Sequence, residues 1–205
     1  AVILNEFMAL REAGLVDGLV VIAPNSLKLN WAVDERDKWG LQVKAYVWPE
    51  KPVGDGPPFI LAMNYEAFGV GSSPGYSFLE EFARKKRLMV VLDESTQIKN
   101  FEAARTKKIL ALGPLFTFTR VLSGGPVTQG PHDLFAQLRF CGALKGWNYY
   151  AFRNRYCKMG GFGNRQVVGA KNNEELNALI NEWGFRARKV DWATDLPEKL
   201  PAVNR

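Results

Sequence analysis

Two adjacent carboxylates, Asp93 and Glu94, follow directly on the apolar run Leu88-Met89-Val90-Val91-Leu92. Acids at the tip of a buried strand have a chemical use. A divalent cation such as Mg²⁺ takes oxygen ligands, often one or two carboxylates, and completes its shell with waters and substrate phosphates. A second acid beside it can orient or deprotonate an attacking water. The plain alternative is structural: Asp93 opens a turn and caps the next helix, while Glu94 is solvated. The pair by itself leaves both open.

The elements around the pair decide where it points. LVVIAP (19–24), VKAYVW (43–48), a strand within FILAMNYEAF (59–68), the run 88–92 and FTRVLSGGP (118–126) are short, apolar and bounded by turn residues, as strands buried on both faces are. Helical patterns separate them: 1–13 with Ile3, Phe7 and Leu10 on one face, 27–39 capped by Asn25 or Ser26, YSFLEEFARKK, FEAARTKKILAL and PHDLFAQLRFCGAL. Such alternation implies an α/β fold, a parallel sheet with helices on both faces. Ligands of such sheets sit outside the carboxyl ends of the strands. Those ends read Ala23-Pro24-Asn25-Ser26, Asn64-Tyr65, Asp93-Glu94 and Ser123-Gly124-Gly125, so small and polar residues share one rim.

Composition narrows the function classes. The 205 residues are 47% apolar and 23% charged, with a net charge of +6 and a pI near 9.3. That is enough apolar material for one sizeable core, and a basic balance that suits a polyanionic partner. Two cysteines, one histidine and no CxxC argue against a zinc site and fit a reducing compartment. No apolar run approaches the ~18 residues of a membrane span. Acids at Glu6 and Glu12 and the lack of a basic start argue against a signal peptide. The G-x-S-x-G match Gly71-Ser72-Ser73-Pro74-Gly75 lies in the loop GVGSSPG and does not follow directly on a strand, so it does not read as a hydrolase nucleophile elbow. From residue 145 the texture turns aromatic, basic and glycine-rich. The expected domains are a core over 1–144 and a mostly helical appendage over 145–205.

The motifs in order resemble the first motor lobe of superfamily-two helicase-like ATPases, in particular the Snf-type branch of DNA translocases. LVVIAPNSLKLNW resembles motif Ia, ILAMNYEAF the motif Ib region, LDESTQIKN motif II, RVLSGGPVTQGPHDLFAQLRF motif III, and FRARKVDWATDLPEKLP the end of the first lobe. The resemblance covers nearly the whole chain and implies a RecA-like lobe of the P-loop NTPase class. It implies that Asp93 holds Mg²⁺ and that Glu94 activates or positions the water that attacks ATP. It places Ser123 and Gly124 between nucleotide state and the nucleic-acid track. It lays Pro24, Asn25, Ser26 and Lys28 along the backbone of double-stranded DNA, with Asn64 and Tyr65 near them. It also implies a second RecA-like lobe in the same full-length chain.

Departures from the family pattern carry expectations of their own. Motif II reads Asp-Glu-Ser-Thr where the family commonly has a histidine, so Thr96 is expected to replace part of its hydrogen bonding. Motif III reads Ser123-Gly124-Gly125-Pro126 and loses a hydroxyl, and Gln129 stands where asparagine is frequent. No G-x-x-x-x-G-K-[ST] phosphate loop occurs. The expectation is therefore a fragment of an ATP-dependent helicase or translocase that hydrolyses ATP negligibly alone. The alternative is a non-catalytic nucleic-acid-binding module derived from such an ATPase. The expected location is cytoplasmic, in a bacterium or a virus-infected cell, or on the nucleoid.

Other residues have two readings each. Trp31 and Trp39 pack against the core or another domain, or else stack on bases. Arg84-Lys85-Lys86-Arg87 is a solvated helix end or a DNA contact. Lys99 and Asn100 match the family motif or cap the next helix. Gly160-Gly161-Phe162-Gly163 is a hairpin or loop, not a dinucleotide fingerprint. His132 starts a helix. Arg153, Arg155, Lys158 and Arg165 with Tyr149, Tyr150 and Phe162 form a basic, aromatic patch that either packs the appendage or meets nucleic acid.

Overall fold

Runs of apolar residues with no polar interruption cannot leave either face in water, and they become the centre of a covered sheet. The computed structural model describes residues 2–52 and 58–186. In it β1 (Gly18–Ala23), β2 (Lys44–Val47), β3 (Phe59–Asn64), β4 (Leu88–Leu92) and β5 (Phe118–Val121) form one sheet in the order β2-β3-β1-β4-β5. Every pairing is parallel. All side chains of β1 and β4 are buried.

Alternation sends the two sets of side chains to opposite faces. Val20, Ile22, Leu61, Met63, Val90 and Leu92 pack with Leu79 of α3 (Pro74–Lys85), Ile109 of α4 (Ala104–Leu112) and Ala136 of α5 (Leu134–Phe140). Leu19, Val21, Ile60, Met89 and Val91 pack with Ile3, Leu4 and Phe7 of α1 (Val2–Glu12). Full burial of each large aliphatic side chain contributes roughly 1.5–3 kcal/mol. The expected parallel α/β fold with helices on both faces is what these two cores build.

The helix expected over 27–39 has a changing pitch instead. A 3₁₀ turn at Asn25–Leu27 leads into a π segment at Asn30–Asp34, and an α turn, α2 (Glu35–Lys38), closes it. Neither Asn25 nor Ser26 caps it, and both are exposed. A π turn holds one residue more than an α turn and rotates the faces that follow. Trp31 thus lies against the core, while Trp39 stays outside, 45% exposed, its indole N–H on Glu35 Oε2 at 3.0 Å.

Beyond α5, Asn148 caps α6 (Tyr149–Tyr156), its Oδ1 accepting from the Ala151 N–H at 2.8 Å. An antiparallel hairpin follows, β6 (Cys157–Gly160) with β7 (Gln166–Ala170), and Gly161 at φ 72° takes a turn position that only glycine adopts without strain. The glycine-rich stretch is therefore a hairpin. The chain divides into units Ala1–Asn172 and Asn173–Arg205, not at the compositional change near 145. Phe135 of α5 meets Tyr149 and Phe152 of α6 at 5.4 and 5.6 Å, which anchors residues after 145 in the first unit. The described helix of the second unit is α7 (Asn173–Trp183). Most of the expected lobe-ending segment 185–201 lies outside the described residues.

Candidate active site at the strand-end rim

Backbone bonds tie the ends of β1, β4 and β5 together. The Asp93 N–H donates to Ile22 O at 2.9 Å, the Leu122 N–H to Leu92 O at 2.8 Å, and the Ser95 N–H to Leu122 O at 2.9 Å. Motif II and the approach to Ser123 and Gly124 are thus neighbours at one rim. The sequence placed them together, and the bonds hold them there.

At Asp93 the chain leaves the sheet. Glu94 takes a left-handed conformation, φ 49°, unusual for a residue with a side chain, and is exposed. A 3₁₀ turn, Ser95–Ile98, follows and buries Ser95 and Ile98. The two carboxylates therefore differ in setting. Asp93 is half-buried: Oδ2 accepts from the Trp31 indole N–H at 2.8 Å and Oδ1 from the Glu94 N–H at 3.0 Å. Each ionised carboxylate oxygen accepts two bonds, so one position on each stays open toward solvent or an ion. Glu94 stands in water.

Tyr65 corrects an expectation. It is fully buried, with its hydroxyl donating to the Asp93 carbonyl at 2.8 Å. A side chain with no exposed surface cannot lie on a polynucleotide, and Tyr65 is a strut beneath the rim. Burial first, and then the charge of Asp93, push its hydroxyl far above the ordinary tyrosine range; Arg105, 5.7 Å from the ring, partly offsets this. Asn64, half-buried, turns its amide N–H to Glu66 Oε2 at 2.8 Å. Asn25 and Ser26 are exposed, Pro24 is half-buried, and Lys28 Nζ lies 3.4 Å from Trp48 O. Pro24 through Lys28 begin the helical run that carries Trp31, so this segment and Asp93 are joined through the indole.

The expected Thr96 link is met by other residues. Ser95 Oγ, buried, donates to Gln137 Oε1 at 2.7 Å; Gln137 Nε2 donates to Pro126 O at 2.8 Å and Asp133 O at 2.9 Å. Asp133 Oδ2 accepts from the Thr128 and Gln129 N–H groups and the Thr128 hydroxyl at 2.7 to 3.0 Å. Burial would raise the Asp133 pKa, but the Gln129 and Thr128 donors outweigh it and hold the carboxyl below its usual range. Lys99 Nζ donates to Thr128 Oγ1 at 2.8 Å, and Asn100 Oδ1 accepts from the Glu102 N–H at 2.9 Å. Motifs II and III are thus joined through α5. The polar Gln137 and Asp133, inside a helix-start pattern of Leu and Phe, are the sequence signal that marks them.

The basic cluster resolves toward the structural reading. Arg84 pairs with Glu80 and Lys85 with Glu81 on α3, and Arg87 binds Asp17. Its hydrogen bond to Asp17 pulls that carboxyl down. Among the described residues no group of three histidine, cysteine or acidic side chains could cage a metal, and no helix is long and apolar enough to cross a membrane.

No protein-family model matches the chain. The mouse DNA annealing helicase and endonuclease ZRANB3 is 26% identical over 191 residues, 89% of this chain and 18% of that protein. The Caenorhabditis elegans homologue of the SWI/SNF-related, matrix-associated, actin-dependent regulator of chromatin subfamily A-like protein 1 is 34% identical over 123 residues, 58% of this chain and 18% of its own. The chain thus spans about a fifth of the length of these relatives. The Sulfolobus solfataricus SWI2/SNF2 ATPase core in complex with double-stranded DNA superposes with TM-score 0.65 at 22% identity over 93% of this chain and 38% of that one. The same core domain without DNA gives 0.67 at 23% identity over 95% and 38%. These likenesses carry the RecA-like fold.

Proposed function

We propose that this chain, a Snf2-type superfamily-two ATPase lobe, serves as the first lobe of a motor that couples ATP hydrolysis to movement along double-stranded DNA. The joint between motif II and motif III, Ser95 N–H to Leu122 O, carries the proposal, because it sets the acids and the Ser123-Gly124 turn on one rim. Relatives named for helicase activity and a neighbour solved on double-stranded DNA support it.

In this reading Asp93 is the residue that would hold Mg²⁺. The fit is to an ion that needs few protein ligands, since the rim offers one half-buried carboxylate with spare acceptor positions and no cage among the described residues. When bound, the ion would neutralise charge on the nucleotide phosphates. Glu94, exposed one residue on, has the freedom to orient a water or take its proton. Trp31 and the Glu94 amide hold Asp93 in place. Ser123 and Gly124, which follow the Leu122 carbonyl that accepts from the Ser95 N–H, relay a change at the acids to the loop before α5. Pro24, Asn25, Ser26, Lys28 and Asn64 offer the duplex backbone an amide-rich edge and a cation; contacts to phosphate position a protein without reading sequence.

The test has two arms. Binding of the 205-residue chain to duplex DNA should fall steeply with salt, and Lys28→Ala should flatten that dependence by about one unit of slope. In the full-length protein, Glu94→Gln should retain nucleotide and lose roughly 10²-fold or more in turnover. Unchanged turnover would remove Glu94 from its role; duplex binding that ignores salt would remove the track.

A further inference from the structure

The basic, aromatic patch is split by the structure. Phe162 projects from the hairpin, 99% exposed, while Tyr149 and Tyr150 gather elsewhere, in a groove between α4, α5 and the start of α6. The groove has a volume of about 520 Å³, and Phe101, Lys107, Arg139 and Asn148 line it with the two tyrosines. We propose that it binds unpaired nucleotides, with a base on the Tyr150 ring and phosphates at Lys107 and Arg139.

The rings are held in place. Tyr149 stacks on Phe101 at 5.0 Å and 14°, and Phe101 sets its edge against buried Phe135 at 5.0 Å. The Arg153 guanidinium lies 5.8 Å from the Tyr149 ring and 5.3 Å from the Tyr150 ring, so one cation braces both. Tyr150 nonetheless remains 57% exposed. A rigid aromatic face left in water beside cations is how proteins hold single strands, at about 1–3 kcal/mol per stacked base.

Among the described residues these cations have no carboxylate partner. Arg84, Lys85 and Arg87 each face a carboxylate. Among the described residues, Lys107, Arg139 and Arg153 make no ion pair; Arg139 Nη1 donates to Trp147 O and its guanidinium lies 5.9 Å from the Phe135 ring. The charges of Arg153, Glu102 and Asp133 reach Tyr149, and neither carboxylate lines the groove. Charge alone would admit an acidic peptide. The exposed ring face favours a ligand with flat π surfaces and phosphates together. Bases in a duplex are already stacked and cannot offer theirs. None of the residues that line the groove belongs to the proposed duplex track.

Fluorescence anisotropy of the 205-residue chain tests this with labelled oligothymidine of about 15 nucleotides and with a labelled duplex. The wild type should bind oligothymidine with a log–log salt slope of about −1.4, about 0.7 for each of the two phosphate-binding cations. Tyr150→Ala should weaken that binding by roughly 5- to 100-fold and leave duplex binding and the melting temperature unchanged. Lys107→Ala should flatten the slope by about 0.7. Lys28→Ala should do the reverse, weakening duplex and sparing oligothymidine, so loss of the duplex track and loss of this site read out separately. The proposal is overturned if the wild type does not bind oligothymidine, if Tyr150→Ala binds it as well as wild type, or if polyglutamate of equal charge displaces it as effectively as unlabelled oligothymidine.

Discussion

The indole N–H of Trp31 donates to the carboxylate of Asp93 at 2.8 Å across 62 residues of sequence. The bond joins the segment expected to follow DNA to the acid expected to hold the metal. The ring belongs to the π segment Asn30–Asp34 of the helical run after β1 and packs against the core. A regular α-helix over the same residues would carry its faces differently. The helical run that begins with the proposed track residues and the acid proposed to hold the metal are thus joined by one hydrogen bond at this rim.

Trp31→Phe keeps most of the ring and removes the donor. Hydrogen bonds to charged groups contribute about 1.5–3 kcal/mol, less where one partner is half-solvated as here. A double-mutant cycle with Asp93→Asn in urea unfolding should give a coupling of about 1 kcal/mol. Additivity within about 0.3 kcal/mol would show that the contact holds no energy.

Gln137 is the next test, because it satisfies several groups at once. Gln137→Leu leaves the Ser95 hydroxyl without its acceptor and the Pro126 carbonyl without its donor. Each buried orphan costs about 1–3 kcal/mol. A loss of about 2–4 kcal/mol is expected, and Ser95→Ala should cost less because only Gln137 Oε1 loses a partner. Thermal melts of both variants decide it; a Gln137→Leu variant as stable as wild type would mean that Ser95 and Pro126 find other partners.

Much of the fold was legible because its sheet is buried on both faces. Five apolar runs bounded by turn residues have few other uses, and their carboxyl ends fix a rim. The shared rim, with Asp93 and Ser123 on it, followed from the strand-helix alternation; the roles of those residues came from the motif resemblance, and the order of the strands was not legible. What escaped was set by tertiary contact. Tyr65 reads as a polar rim residue, yet it is fully buried and the Asp93 carbonyl claims its hydroxyl. Asn25 and Ser26 have cap chemistry, but the 3₁₀ turn uses backbone only. Gln137 and Asp133 stood in plain view within PHDLFAQLRF. Their partners lie elsewhere in the chain, and helical periodicity carries no sign of them.

Asp133 should make the loop before α5 sensitive to acid. Its folded pKa is below the ordinary value, because the Gln129 and Thr128 donors outweigh its burial. A depressed carboxyl contributes stability in full above the unfolded pKa, near 4, and loses it as pH falls through the folded value. Wild type should therefore exceed Asp133→Asn in stability at neutral pH. The gap should close as the pH falls below about 4. Urea unfolding of both proteins across that range checks the sign, and a gap that widened toward acid would contradict the hydrogen-bond assignment.

Gly75 sets two effects against each other. It lies in the first turn of α3, where alanine would gain roughly 0.5–1 kcal/mol of helix propensity. A Cβ there would stand 2.6 Å from Ala67 Cβ and 2.9 Å from Ala67 O. Neither atom is the end of a flexible chain, so α3 or the 3₁₀ turn Tyr65–Phe68 must move. Such overpacking costs about 1–3 kcal/mol and should win. Because Ala67 follows Tyr65 by two residues, the shift should also loosen the Tyr65–Asp93 bond. Gly75→Ala is expected to lower the unfolding midpoint and to speed amide exchange at Asp93 and Glu94. A variant with a raised midpoint would show that helix propensity outweighs the contact and that this turn can give way.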